Sequence, residues 1–199
     1  MNTLWVKKIY TPRGMTKENV LEGARALDVG CGQRKLAGSV GMDIVADSAA
    51  DIVHDMNRFP WPCAESSFDL VFASHVLEHT DDVLGFLGEA RRVVKPDGHI
   101  VVQVPYFRST DAFGDVTHKH FFTSMSLEYV EEGSKHAAYN YVPFRLTKVG
   151  FWYGWPTQSR NPLVRIFKSF IKRFPRFYDQ YLSLLLPVAC LTWEFEVNK

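Results

Sequence analysis

Five short apolar runs mark the first half of the chain: Ala26–Val29, residues 39–44, residues 51–54, Phe68–Ser74 and residues 99–105. They are apolar nearly throughout rather than alternating, the pattern of strands buried on both faces. Between the fourth and fifth runs, Val83, Leu84, Phe86, Leu87, Ala90, Val93 and Val94 follow a helical period. Thr80 stands where a cap is expected, with Asp81 and Asp82 in the first turn, where carboxylates favour the free amides. Pro96-Asp97-Gly98 predicts a turn before the fifth strand. A further helix is predicted from about 124 to 132, stopped by Gly133, with two last strands at 144–149 and 191–197. Strands alternating with helices in this way predict an α/β fold built on a mainly parallel sheet. Only a very short helix fits between Asp28 and Asp43, and none between Asp43 and Asp51, so the early covering layer is trimmed.

The loops carry the chemistry. Leu27-Asp28-Val29-Gly30-Cys31-Gly32 runs from a strand into a glycine turn, where positive φ and a missing Cβ let a ligand approach the backbone. Asp43, followed by Ile44, ends the second strand, and a carboxylate there can accept from both hydroxyls of a ribose. A dinucleotide site needs GxGxxG, with its acidic residue about 20 positions further on. Here Lys35 and the early Asp43 break that pattern. The P-loop pattern GxxxxGK[ST] is absent. Adenosine joined to an amino acid suits these residues better than a dinucleotide.

Five segments stand in order: Leu27–Gly32; Asp43; Ala50-Asp51-Ile52-Val53-His54-Asp55-Met56; Phe68 through Ser74-His75-Val76-Leu77-Glu78-His79; and Ala90-Arg91-Arg92-Val93-Val94-Lys95-Pro96-Asp97-Gly98. Together they resemble the class I S-adenosylmethionine-dependent methyltransferases, specifically the type 11 group. The resemblance covers about residues 24–105, with the short first helix and the missing third glycine as departures. It implies a Rossmann-like, doubly wound, mostly parallel sheet of about seven strands with the last one antiparallel. It also implies S-adenosyl-L-methionine as cofactor. Asp28, Gly30, Cys31 and Gly32 would lie under the methionine part and Asp43, with Ile44 beside it, at the ribose. Asp55 and Met56 would meet the adenine, and Ser74 and His75 the methyl-donor end.

Residues 1–199 then form one domain: a cofactor-binding half at 24–105, an acceptor-side loop, helix and strand at 106–159, a helical insertion at 160–188, and a last strand at 190–197. The loop after the fifth strand holds Asp111, Asp115, His118 and His120 between aromatic residues. His118 and His120 are the candidate catalytic bases for transfer to a small-molecule, glycan or lipid-linked acceptor, with oxygen as the receiving atom. Asp111, Asp115, His118 and His120 match no metal-ligand spacing, so no metal is assigned. The competing reading is a non-catalytic nucleotide-binding or interaction module acting through its C-terminal helices.

The remaining observations narrow the partners. With 46% hydrophobic and 23% charged residues and a net charge of +1, the chain has no general bias toward nucleic acid, and none is expected as a partner. Three scattered cysteines, no signal-like apolar stretch and no run long enough to span a bilayer predict a cytoplasmic protein. Asn161-Pro162 is a helix start. After it, Leu163, Ile166, Phe167, Phe170, Ile171 and Phe174 fall on one face, opposite Arg165, Lys168, Lys172 and Arg176. The simplest expectation buries that apolar face on the sheet or in a homodimer. The alternative lays it on an anionic membrane as a peripheral contact.

Overall fold

The computed structural model describes residues 5–11, 14–15, 23–154 and 161–199. A short helix α1 (Trp5–Ile9) leads into a two-stranded hairpin, β1 (Tyr10–Thr11) and β2 (Gly14–Met15). The main sheet follows: β3 (Ala26–Val29), β4 (Val40–Asp43), β5 (Ile52–Val53), β6 (Phe68–Ser74), β7 (Val94–Pro105), β8 (Thr147–Tyr153) and β9 (Cys190–Glu196). Its order is β5-β4-β3-β6-β7-β9-β8. Strands β3 to β7 pair in parallel, and β9 runs antiparallel between β7 and β8. The expected seven-stranded, mostly parallel Rossmann-like sheet is therefore present.

The chain enters the sheet at β3, winds outward to β5, then returns to place β6 on the other side of β3. Parallel sheets bind ligands at this kind of reversal, beyond the carboxyl ends of the strands. Side chains of β3, β6 and β7 alternate between two cores. Leu27, Val71, Ala73, Ile100 and Val102 face the helix α2 (Val83–Val93) with Phe86, Leu87, Ala90 and Val93. Ala26, Leu70, Phe72 and Val101 face the other way, onto Val6 and Ile9 of α1. No helix forms between β3 and β4, or between β4 and β5, as the short spacings require.

Four local expectations are corrected. The cap of α2 is Asp82, whose carboxylate accepts from Gly85 N at 2.8 Å; Thr80 bonds Asn57 instead. The Pro96-Asp97-Gly98 turn lies inside β7 as a bulge, because Phe68 pairs with Val94 and Leu70 already pairs with His99. Residues 124–132 form linked turns rather than a helix: Ser126, Glu128 and Val130 donate to carbonyls three residues back. The Asp179 carboxylate draws the start of that stretch aside, accepting from Ser124 N at 3.0 Å and Ser124 Oγ at 2.6 Å. The strand predicted at 144–149 is shifted to Thr147–Tyr153, while Arg145 is occupied with the carbonyls of Val142 and Phe144.

A short helix α3 (Thr110–Gly114) follows β7, and the C-terminal insertion holds α4 (Pro162–Arg173) and α5 (Pro175–Phe177), followed by a wider turn at Tyr178–Leu182. Asn161 caps α4, accepting from Leu163 N at 2.9 Å, with Pro162 at the first position. Asp179 anchors the insertion by accepting from both Tyr106 Oη (2.8 Å) and Tyr153 Oη (2.7 Å). The expected burial of the α4 apolar face on the sheet does not occur. Ile171 is buried and Phe167 half-buried, but Leu163, Ile166, Phe170 and Phe174 are exposed, as are Leu184, Leu185 and Leu186. Lys172 Nζ lies 5.0 Å from the centre of the Trp152 ring, and burial lowers the affinity of Lys168 and Lys172 for protons. Among the described residues no helix is long and apolar enough to cross a membrane.

Candidate active site

The pairing register brings the carboxyl ends of the central strands level. Val29 pairs with Met42 and with Ala73, and Asp43 pairs with Val53. The glycine turn, Asp43 and Ser74 thus line one edge of the sheet.

Gly30 has φ +65°, and an added Cβ would lie 2.3 Å from Val76 Cγ2, so the turn packs directly on the segment after β6. Gly32 has φ +50° with open space where a Cβ would point. Asp43 closes the turn: Oδ2 accepts from Gly32 N at 2.8 Å and Oδ1 from Val45 N at 2.9 Å. Each oxygen keeps a lone pair for a further donor. Ile44 is 64% exposed at this edge. Asp55 Oδ1 accepts from Asn57 N at 3.0 Å, and the Met56 carbonyl accepts from Trp61 Nε1 at 3.0 Å. An adenosine with an amino-acid tail fits this edge: bare backbone at Gly32, a spare carboxylate capacity at Asp43, and an apolar ledge at Ile44.

Asp28 is buried beneath the turn, with Oδ2 accepting from Leu36 N at 2.6 Å. Burial pushes its carboxyl up to about 7, against the pull of that amide and of Lys35. A carboxyl raised in the folded state contributes most below the pH where the unfolded chain titrates, and that contribution is lost as pH rises through about 7. Asp28→Asn keeps an acceptor for Leu36 N without the charge. The variant should therefore gain thermal stability relative to wild type on going from pH 5 to pH 8, which melts at both pH values will check. Cys31 is also buried, and burial pushes its thiol up to about 11, so it serves packing rather than nucleophilic chemistry.

At the end of β6, Ser74 Oγ donates to Gln103 Oε1 at 3.2 Å, while Gln103 Nε2 donates to Thr192 Oγ1 at 2.9 Å. His75 holds a left-handed backbone at φ +58°, a region that histidine enters more readily than most side chains, with its N–H donating to Gln103 O at 2.8 Å. The turn puts His75 into a cavity of about 390 Å³ with Glu78, His79, Pro105, Asp111, Asp115 and His118.

The structure separates the two loop histidines. His118 lines this cavity, with Nδ1 2.9 Å from the Ala112 carbonyl. His120 turns the other way, with Nε2 2.9 Å from the Thr80 carbonyl, into an apolar cavity with Val83, Leu84, Phe121, Phe122 and Tyr141. Sequence reasoning gave Glu78 no role, yet its side chain is 1% exposed and sits at the centre of the polar cavity. A carboxylate between two histidines, Glu78-His79 and His75, was the signal available.

Residues 27–102 match the family described as a methyltransferase domain. The chain is 36% identical over 101 residues to a ubiquinone biosynthesis O-methyltransferase of Rhodopseudomonas palustris (strain HaA2), covering 41% of this chain and 40% of that protein. It is 34% identical over 119 residues to a demethylmenaquinone methyltransferase of Bacillus subtilis (strain 168), covering 47% of this chain and 51% of that one. It thus spans about half the length of these relatives, or less. A SAM-dependent methyltransferase from Archaeoglobus fulgidus superposes with a TM-score of 0.56 at 18% identity, over 88% of this chain and 87% of that one. At that identity the likeness concerns the fold.

Proposed function

We propose that the chain carries a class I S-adenosylmethionine-dependent methyltransferase domain and methylates an oxygen of a small or lipid-linked acceptor held in the His75–Glu78–His118 cavity. The observation that carries this reading is the position of that cavity. It opens beside the residues following β6, one strand from the glycine turn and Asp43, so donor and acceptor sites share one edge of the sheet. Gly30, Gly32 and Asp43 would hold the cofactor, with Asp55 and Met56 toward the adenine. S-adenosylmethionine supplies a methyl group already activated on a sulfonium.

This chain's own residues then have three tasks. The strand-end turn positions the acceptor, which matters because alignment contributes most of the acceleration available to an in-line transfer. His118 acts on the acceptor proton: the Ala112 carbonyl takes its Nδ1–H, so Nε2 of the neutral ring is the nitrogen available as base. His120, bonded to Thr80, holds the loop.

A specific observation favours a lipid-linked acceptor. The exposed ridge of Leu163, Ile166, Phe170, Phe174, Leu184 and Leu185 lies on the same insertion as Arg165, Arg173 and Arg176, the composition of a helix resting on anionic lipid. Names of relatives that act in quinone biosynthesis support the same acceptor class. The test is transfer of a labelled methyl group to a prenylated catechol in anionic vesicles, and to a water-soluble catechol and a glycan without them. Transfer to the prenylated catechol, weakened by high salt, is expected. Equal transfer with neutral vesicles removes the membrane reading. No cofactor binding and no transfer to any acceptor would leave a non-catalytic module.

A further inference from the structure

We propose that Glu78, His79 and His118 bind a divalent transition-metal ion, such as Zn²⁺, at the floor of the acceptor cavity. One ligand atom from each lies within 4.8 Å of the other two. The cluster is held from both sides. His79 N donates to Val76 O at 2.9 Å within the turn after β6, and Lys119 N donates to the Glu78 carbonyl at 2.8 Å, pinning the later loop onto that turn.

The proton inventory points to a cation. The Ala112 carbonyl can only accept, so His118 Nδ1, 2.9 Å away, carries a proton, and Nε2 of the neutral ring is the nitrogen left to ligate. Thr117 donates its single hydroxyl proton to Asp115 Oδ1 at 2.7 Å. Its oxygen therefore accepts from His79 Nδ1, 3.0 Å away, which leaves Nε2 of the neutral ring to ligate. Between these nitrogens lies the Glu78 carboxylate, 1% exposed, neither oxygen of which receives a hydrogen bond among the described residues. His118 Nε2 is 4.0 Å from Glu78 Oε1, too far for a hydrogen bond, and His75 Nδ1 is 3.5 Å from the same oxygen. Two ring nitrogens and a carboxylate thus converge where neither Glu78 oxygen has a hydrogen-bond partner among the described residues. Buried carboxylates are expensive to leave in that state, and a cation satisfies all three at once.

The surroundings are those of a ligand set rather than a chance cluster. Each histidine gives its second nitrogen to an oxygen that fixes the ring, as ligating histidines do: Ala112 O directly, and Thr117 Oγ1 backed by Asp115. The rings meet edge to face with centres 4.7 Å apart. Ligand atoms about 2.1 Å from one zinc stand roughly 3.4 Å apart, so small side-chain rotations complete the site. Two histidines and one carboxylate leave a coordination position open toward the cavity, the arrangement of catalytic rather than structural zinc. Asp115, grouped by sequence with His118, becomes a positioning residue; His120 drops out.

The ion's use, though not its binding, rests on the methyltransferase reading. An acceptor hydroxyl on the open position is acidified, its proton leaving to water through the mouth of the cavity. With the ion bound, His118 Nε2 is a ligand, and the ion takes over from it the task of loosening the acceptor proton. The test uses the full chain, stripped with a chelator and titrated with Zn²⁺ by calorimetry and with Co²⁺ by visible absorption. One ion per chain is expected, with the intense Co²⁺ bands of low-coordinate nitrogen and oxygen ligation. His118→Ala and His79→Ala should each weaken binding by about 100-fold or more, and Thr117→Val by about 10-fold. Glu78→Gln is the fourth variant, and melts identify any that misfold. Folded wild-type protein without saturable binding, or with binding unchanged in both histidine variants, overturns the proposal. Binding of S-adenosylmethionine, measured separately, distinguishes failure of the metal site from failure of the methyltransferase reading.

Discussion

Asp43→Ala is expected to abolish measurable binding of S-adenosylmethionine while leaving the chain folded. The carboxylate has two duties at one edge of the sheet. It fixes the glycine turn through Gly32 N and the next loop through Val45 N, and its remaining lone pairs face the space where ribose hydroxyls would lie. Two hydrogen bonds to a charged acceptor contribute about 1.5–3 kcal/mol each, so their joint loss lowers affinity by roughly 100-fold or more. Alanine also frees the Gly32 amide, which loosens the turn that the ligand must meet. The residue lies at a strand end rather than in the core, so melting should change little. Calorimetric titration of wild type and variant with the cofactor and its demethylated product checks this. Undiminished binding in the variant would remove Asp43 from the ribose site and relocate the cofactor.

The largest effect on stability is expected far from that edge, at Glu194. Its carboxylate is fully buried in the middle of β9, a position where an acid needs complete pairing. Oε1 accepts from Trp5 N at 2.7 Å, Oε2 accepts from Val6 N at 3.2 Å, and His99 Nδ1 of β7 lies 2.7 Å from Oε1. One side chain therefore caps the first amides of α1 and satisfies a buried histidine on the neighbouring strand. Glu194→Ala leaves His99 and two amides without that partner and opens a void beneath α1. Breaking a buried pair on one side costs about 3–5 kcal/mol. For a chain of this size that lowers the melting temperature by roughly 6 to 20 °C. Hydrogen exchange should show α1 and the hairpin β1–β2 opening first. A variant that melts with the wild type would mean that α1 is held by its apolar contacts alone.

Both results bear on what an amphipathic segment does when its partner is not fixed by sequence. The helix α1 is five residues long, too short to be stable alone. It docks through Val6 and Ile9 because a carboxylate almost 190 positions away meets its first amides. The helix α4 is longer and far more amphipathic in sequence, yet it turns most of its apolar face outward. Helical periodicity locates such a stripe, and contacts with the rest of the fold decide what it meets.

The sequence by itself determined the class of the fold and located the glycine turn and the acidic strand end at Asp43. Unbroken apolar runs specify strands buried on both sides, and short spacers specify loops without helices, because both are local consequences of chain length and hydrophobicity. The glycine turn and Asp43 are likewise local, lying 11 positions apart between Gly32 and Asp43. Tertiary structure alone decided the acceptor side. The turn predicted as a separate element became a bulge within β7 because the pairing register with β6 absorbed it. The helix expected near 124–132 gave way to turns, with Asp179, more than fifty residues away, claiming Ser124. His118 and His120 are indistinguishable as letters, but one carbonyl orients each into a different cavity. Glu78 was set apart in the same way, by burial that leaves both carboxylate oxygens without a hydrogen bond among the described residues. Periodicity and turn chemistry are carried by neighbours in the chain, whereas burial and proton balance depend on what long-range packing brings alongside.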